Sequence, residues 1–311
     1  LGYTYFEYQK RAISIVDVPG HQDYFKNTIA GFSNVNGVLF CIDSVQGWSR
    51  QSEEHFKSIV NLGIRDILVI FTKTDLLEET LKKDSIIKKF SNIKNLNFQI
   101  TEFSSKTSNK EDFHKEINDF FKDTGADEEG TIWVDRIFSI DGIGTVVTGT
   151  ASNNLDLNKL YVSDNKSPLE VKKIQSLGKD IEKIVSTSRI AISLKKNPSQ
   201  PLQRGDILSN NLLNKAEYLI LETENEALPF ETKDTTRAYI GTSNQIVKQV
   251  KCLSVEGKNY VIVHLGSPIS TIEGQNILLH DLSKNDFIGG EIILKTNNNF
   301  QIKKLLKNKK K

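Results

Sequence analysis

Over roughly the first 124 residues the apolar positions follow two alternating rhythms. Dense short runs at residues 3–8 (YTYFEY), 11–18 (RAISIVDV), 37–43 (GVLFCID), 66–72 (DILVIFT) and 98–104 (FQITEFS) read as strands. Between them, residues 21–31, 51–62, 76–90 and 110–121 space their apolar side chains near the helical period. Alternating strands and helices predict an α/β layer domain with a largely parallel sheet. From residue 131 the rhythm changes to short β-rich runs separated by Gly, Asn, Asp and Pro: TIWVDRIFSI, TVVTGTA, KLYVSD, LEVKKIQSL and RIAISL. After a turn-rich break at 210–214 come AEYLILET, TRAYIGT, QIVKQVKCL, NYVIVHL and EIILK. No strong amphipathic helix interrupts either series, which predicts two small β-barrels. The expected organisation is a partial α/β domain at 1–124, a linker at 125–130, barrels at 131–213 and 214–300, and a tail at 301–311. The linker lies within an acidic, glycine-bearing stretch, DTGADEEG, that lacks apolar periodicity.

Composition narrows the class. With 38% hydrophobic and 26% charged residues the chain reads as a globular protein, and no apolar run approaches the ~18 residues of a membrane span. No basic-then-apolar leader is present, so the expected location is the cytoplasm, with no membrane partner. Cys41 and Cys252 sit in separate apolar runs and are expected to be small buried hydrophobes, neither disulfide nor metal ligands. A net charge of +2 gives no general basic surface. The tail concentrates Lys303, Lys304, Lys307, Lys309, Lys310 and Lys311, which suits either a solvated end or contact with RNA phosphates.

Three strand ends carry candidate chemistry. At Asp17-Val-Pro19-Gly20-His21, an apolar strand delivers an acid, then a Pro-Gly turn and a histidine at a helix start. Asp17 can reach a Mg²⁺ ion through water, and Gly20 can bring its N–H to a terminal phosphate. His21 would then lie where it can orient an attacking water. At Thr72-Lys73-Thr-Asp75, one carboxylate can accept both N1–H and the exocyclic amine of guanine, while the Lys73 stem covers the ring. Ser104-Ser105-Lys106 follows the next strand, where a backbone N–H can reach the guanine O6. Each motif alone also fits an ordinary connection: a strand-turn-helix, an Asp cap or a serine-rich loop. Their order at successive strand ends, where ligands of open α/β sheets collect, makes a guanine-nucleotide site the expected function. The Gly142-Ile-Gly144 pair begins like a dinucleotide fingerprint, but no helix follows it and the third glycine is absent, so it is assigned to a turn. His55 and His264 are assigned to a helix surface and a strand.

These motifs resemble those of the translation GTPases. Residues 17–31 are similar to the second switch of that family, Thr72–Asp75 to its guanine-specificity motif and Ser104–Lys106 to the companion loop. Residues 136–150 resemble the opening of the second domain of elongation factors, and 202–207 its closing strand. Within the family, Leu1–Phe6, Thr72 in place of the usual Asn, and Asp135-Arg136 with residues 189–194 look like the selenocysteine-specific factors. The resemblance implies GTP and Mg²⁺ as ligands, with Asp135 and Arg189 lining an aminoacyl pocket. An arginine there could favour the selenolate, although Arg189 also fits a strand residue paired to a carboxylate. It further implies selenocysteyl-tRNA or another aminoacyl-tRNA and the ribosome as partners, and messenger RNA through winged-helix domains beyond these residues. A general factor of the elongation factor Tu or initiation factor 2 gamma type, or a non-catalytic tRNA- or ribosome-binding remnant, fits the same residues.

The G-x-x-x-x-G-K-[ST] loop is not found in the 311 residues, and the first-switch threonine is expected before Leu1. Loss of at least three charge-assisted bonds to phosphate, at about 1.5–3 kcal/mol each, lowers affinity by roughly four to six orders of magnitude. The polypeptide is therefore expected neither to bind nor to hydrolyse GTP usefully. The family's first strand would lie between the RAISIVDV and GVLFCID strands. Those two are expected either to pair directly or to leave a gap, making the first domain unstable alone.

Overall fold

The computed structural model describes residues 1–76, 83–121, 130–152, 155–163, 165, 167–184, 187–196, 198, 201–224, 235–298 and 302. Most of the expected linker, the start of the helix expected at 76–90 and the lysines of the tail lie outside the described residues. The chain divides into two compact units: Leu1–Thr28, Val35–Val60 and Ile64–Gly125, and Ile29–Asn34, Asn61–Gly63 and Ala126–Lys311.

The first unit opens with an antiparallel ribbon of β1 (Gly2–Tyr8) and β2 (Arg11–Asp17), closed by a two-residue turn with Gln9 and Lys10 both at positive φ. A three-residue turn (Gln22–Tyr24) leads into α1 (Phe25–Gly31). A parallel three-stranded sheet follows, with β3 (Val38–Asp43), β4 (Asp66–Thr72) and β5 (Asn97–Phe103) in that order. Helices α2 (Arg50–Asn61), α3 (Lys83–Ser91) and α4 (Lys110–Phe120) complete the unit. The central strand β4 is covered on both faces, which is why its sequence is one apolar run. Leu68 and Ile70 pack with Ile117 of α4, joined by Phe6, Ile13, Leu39, Phe103 and Phe113. An aromatic cluster forms around Phe40, Phe56, Phe90 and Trp48, with ring centroids from 4.6 to 6.1 Å apart. Asn109 caps α4 by accepting from Glu111 N at 2.8 Å, and Glu111 and Asp112 complement the first turn.

Strands β2 and β3 do not pair: the ribbon is a sheet of its own, tied to the rest by Phe6 and Ile13 beneath α4 and by Arg11 donating to Asn118 O at 3.2 Å. This is the second of the two expected outcomes. The structure corrects the reading of Cys41, which is exposed on the face of β3 opposite buried Phe40 and Ile42; Cys252 is half-buried. Surface area decides whether a reagent reaches Cys41, but its ionisation is set by the protein atoms crowded around the sulfur. That burial, and then the negative charge of Asp17, push the thiol up. Alkylation of native Cys41 should therefore be slow at neutral pH and keep rising as pH passes the usual thiol range. A rate that levels off below that range contradicts this.

In the second unit, β6 (Thr131–Ile140), β7 (Gly144–Ala151), β8 (Tyr161–Val162), β9 (Val171–Ser176), β10 (Lys179–Asp180), β11 (Ser188–Leu194) and β12 (Ile207–Ser209) form one antiparallel sheet, ordered β10-β9-β11-β7-β6-β12-β8. Its strands share a core that includes Ile132, Val134, Val147, Ile190, Ile192 and Leu208. Gly142 lies in the β6–β7 turn and Gly144 opens β7, both at positive φ. A closed barrel follows, β13-β16-β15-β14-β17-β18, built from β13 (Lys215–Thr223), β14 (Thr236–Ile240), β15 (Ser243–Val255), β16 (Lys258–Ser270), β17 (Asn276–Asp281) and β18 (Asp286–Thr296).

The two sheets share a seam. Along β6, Ile132 and Val134 point into the first core, so by strand alternation Trp133 points the other way, into the barrel core with Ile207. Thr242 donates to Val134 O at 2.6 Å. A Cβ on Gly241 would lie 2.1 Å from the Trp133 ring.

Candidate functional site

The carboxyl ends of β3, β4 and β5 meet in one polar cluster. Lys73 follows β4 with φ 56°, an unusual backbone for a side chain with a Cβ, and its Nζ lies 2.5 Å from Asp43 Oδ2 at the end of β3. Asp43 also accepts from Val45 N at 2.8 Å and Gln46 N at 3.2 Å through Oδ1. The Lys73 hydrogen bond is the main cause holding the Asp43 carboxyl below its ordinary range. Asp75 sits in the three-residue turn Thr74–Leu76, closed by Leu76 N donating to Lys73 O at 3.0 Å.

Ser104, fully buried at the end of β5, donates its hydroxyl to Asp75 Oδ1 at 2.6 Å, while Lys106 Nζ lies 3.7 Å from Oδ2. These contacts, the Ser104 bond first, lower the Asp75 pKa, so the carboxylate is kept as an anionic acceptor. The loop is self-supporting: Ser104 N donates to Ser108 Oγ at 2.9 Å, Lys106 N to Ser104 Oγ at 3.1 Å and Ser108 N to Ser104 O at 2.9 Å. Of the backbone donors expected to reach a base from this loop, Ser104 N and Lys106 N are therefore committed. Ser105 N is the one left without a bond among the described residues. Thr72 is a stitch between strands: its hydroxyl donates to Ile42 O at 3.3 Å, and its carbonyl accepts from Ser44 N at 2.9 Å.

Asp17, Pro19, Gly20 and His21 form a second group on the connection from β2 to α1. Buried Thr28 anchors the turn by donating to Pro19 O at 2.6 Å. His21 is exposed; its Nδ1 accepts from Asp23 N at 3.3 Å and lies 3.3 Å from Asp23 Oδ2. Gly20 has no positive φ, and a Cβ there would meet only Gln51 Oε1, at 3.5 Å. The fold itself therefore does not demand glycine at this position. For Mg²⁺, Asp17 offers one exposed carboxylate, and no cluster of three His, Cys, Asp or Glu occurs among the described residues. That donor set fits an ion held mainly by phosphate and water, the usual habit of Mg²⁺.

In the second unit a bulge in β6, at the register shift between Val134 and Arg136, brings Asp135 to Arg189 of β11. The guanidinium is bidentate, with Nη1 on Asp135 Oδ2 and Nη2 2.7 Å from Oδ1. Thr148 joins both partners, donating to Asp135 Oδ1 at 2.9 Å and accepting from Arg189 Nη2 at 3.0 Å. Arg189 is thus a strand residue paired to a carboxylate, the alternative its sequence context left open, and Thr148, which β7 carries opposite Ala191, is a third member that the sequence does not single out. Sequence reading also missed Asp43, although an acid closing an apolar strand is the signal that picked out Asp17.

An open parallel sheet with a carboxylate, a lysine and a serine loop at its strand ends, followed by a seven-stranded antiparallel sheet and a closed barrel, is the layout of an α/β domain joined to β-modules. Residues 1–260 match the family described as Elongation factor Tu GTP binding domain, and the chain belongs to that family of translation GTPases. The selenocysteine-specific elongation factor of Haemophilus influenzae is 26% identical over 313 residues, covering 96% of this chain and 49% of that protein. The crystal structure of a bacterial selenocysteine-specific elongation factor superposes with a TM-score of 0.81 at 24% identity, over 99% of this chain and 54% of that one. The Methanococcus maripaludis factor SelB, crystallised with a GTP analogue, gives a TM-score of 0.74 at 21% identity, over 95% of this chain and 73% of that one. The chain thus spans about half the length of the bacterial relatives it matches.

Proposed function

We propose that this chain is part of a GTP-hydrolysing elongation factor that delivers selenocysteyl-tRNA to the ribosome in the cytoplasm. The observation that carries the nucleotide reading is the Asp75 carboxylate at the end of β4, which accepts from Ser104 Oγ at 2.6 Å and lies 3.7 Å from Lys106 Nζ. Guanine offers two parallel donors to that carboxylate, and Ser105 N supplies a donor for O6. On the β2–α1 connection, exposed His21 would orient the attacking water, and Asp17 would hold Mg²⁺ through water. Mg²⁺, when bound, neutralises charge on the phosphates. Membership of the translation GTPase family and the GTP analogue bound by the archaeal relative support GTP as ligand.

The tRNA reading rests on the Asp135–Thr148–Arg189 cluster and on the selenocysteine-specific relatives. A selenol is more acidic than the serine hydroxyl of the precursor, so an arginine held flat by a carboxylate favours the selenolate. Arg189→Lys keeps the charge and loses the bidentate fork. In the complete gene product, selenocysteyl-tRNA should bind at least about tenfold more tightly than seryl-tRNA of the same body, and Arg189→Lys should erase most of that preference. Equal binding of the two tRNAs by the unmodified protein would refute the assignment. Arg189→Ala suits this test poorly: it strands the mostly buried Asp135, at about 3–5 kcal/mol.

A further inference from the structure

We propose that Asp43 is a positioning residue for guanine recognition: by holding Lys73 Nζ it fixes the lysine stem as one wall of the base slot. The role rests on the nucleotide reading above and extends it to a residue outside the three motifs. Lys73 contributes its stem to the slot rather than its charge, so the ammonium needs an anchor that keeps the stem in one place. Asp43 provides that anchor at 2.5 Å, from the neighbouring parallel strand. The anchor is itself fixed, because Asp43 Oδ1 accepts the Val45 and Gln46 N–H groups, leaving Oδ2 for the lysine. At the other end of the stem, the backbone of Lys73 is held at φ 56° by the turn it opens into Asp75. Backbone and tip are thus both constrained, and Asp75, the carboxylate that reads the base, stands two residues on in the turn that Lys73 opens. Such an arrangement lowers the ordering cost of closing a side chain over a ligand.

The test uses the 311-residue chain, with guanosine and adenosine followed by saturation-transfer NMR and melting followed by circular dichroism. Wild type should bind guanosine with roughly millimolar affinity and leave adenosine unbound. Asp43→Asn keeps the acceptor for the turn but sets an amide against Lys73. It should weaken guanosine about three- to tenfold without changing the fold. Lys73→Met should lose as much, and the double variant no more than either alone, as residues acting through one contact do. Lys83→Met, which removes a surface pair with Glu102, serves as the control and should bind as wild type. If wild type binds guanosine and Asp43→Asn binds it equally, the role of Asp43 falls and the nucleotide reading stands. Additive losses in the double variant also overturn it. If wild type ignores guanosine, the nucleotide reading falls first and the Asp43 role with it.

Discussion

Asp75→Asn should exchange the base that the site prefers, from guanine to xanthine. Guanine presents N1–H and a C2 amine side by side, two donors that match the two oxygens of a carboxylate. Xanthine keeps N1–H but carries a carbonyl at C2, so it presents one donor and one acceptor. An asparagine amide offers the complementary acceptor and donor. The geometry favours a clean exchange, because Ser104 donates to Asp75 Oδ1 and would do the same for an amide oxygen, turning the NH₂ group toward the base. Loss of two charge-assisted bonds at about 1.5–3 kcal/mol each puts guanosine at least about a hundredfold weaker, beyond detection in this chain. Xanthosine should gain what guanosine loses, seen as saturation transfer to xanthosine alone. A variant that binds neither nucleoside, or still binds guanosine, would place base recognition elsewhere.

The same residues show how much of the site the sequence makes legible. Asp75, Lys73 and Ser104 each follow an apolar strand, and strands of a parallel sheet are long unbroken runs, so their ends are easy to find. What the runs do not encode is which neighbouring groups face one another. Asp43 pairs with Lys73 across 30 positions, and that follows only from β3 lying beside β4 in register. Nor does the motif show which backbone donor of the serine loop is available, because Ser104 N is taken by Ser108 Oγ, four residues later. In the second unit the sequence patterns locate most strands but pass over β17, because its Ile277, Leu278 and Leu279 are all fully buried and show no alternation. Cys41 is the opposite failure: its apolar neighbours Phe40 and Ile42 are buried on one face of β3, while Cys41 points to the other and is exposed, which an unbroken apolar run does not show.

Trp133→Ala should cost about 3–5 kcal/mol and uncouple the two sheets of the second unit. The side chain is 1% exposed and belongs to the barrel core, although its strand is part of the other sheet. Truncation leaves a cavity the size of an indole between walls fixed by two independent strand networks, which limits collapse around it. The seam's remaining ties are Ile207, which also reaches the barrel core, and single hydrogen bonds of about 1 kcal/mol net such as Thr242 donating to Val134 O. Chemical denaturation monitored by circular dichroism should then show the two sheets melting in separate steps. The only other tryptophan, Trp48, lies in the first unit, so its fluorescence in this variant reports on that unit alone. Gly241→Ala attacks the same seam from the other side. Its φ of +55° strains any residue with a Cβ, and the added carbon falls 2.1 Å from the Trp133 ring. Strain and overpacking together should cost about 2–5 kcal/mol. The double variant separates seam from strain. With the indole gone the new methyl group has room, so Gly241→Ala in the Trp133→Ala background should cost only about 1–2 kcal/mol. Full additivity would mean that ring and glycine do not meet, and the shared core would lose its main support.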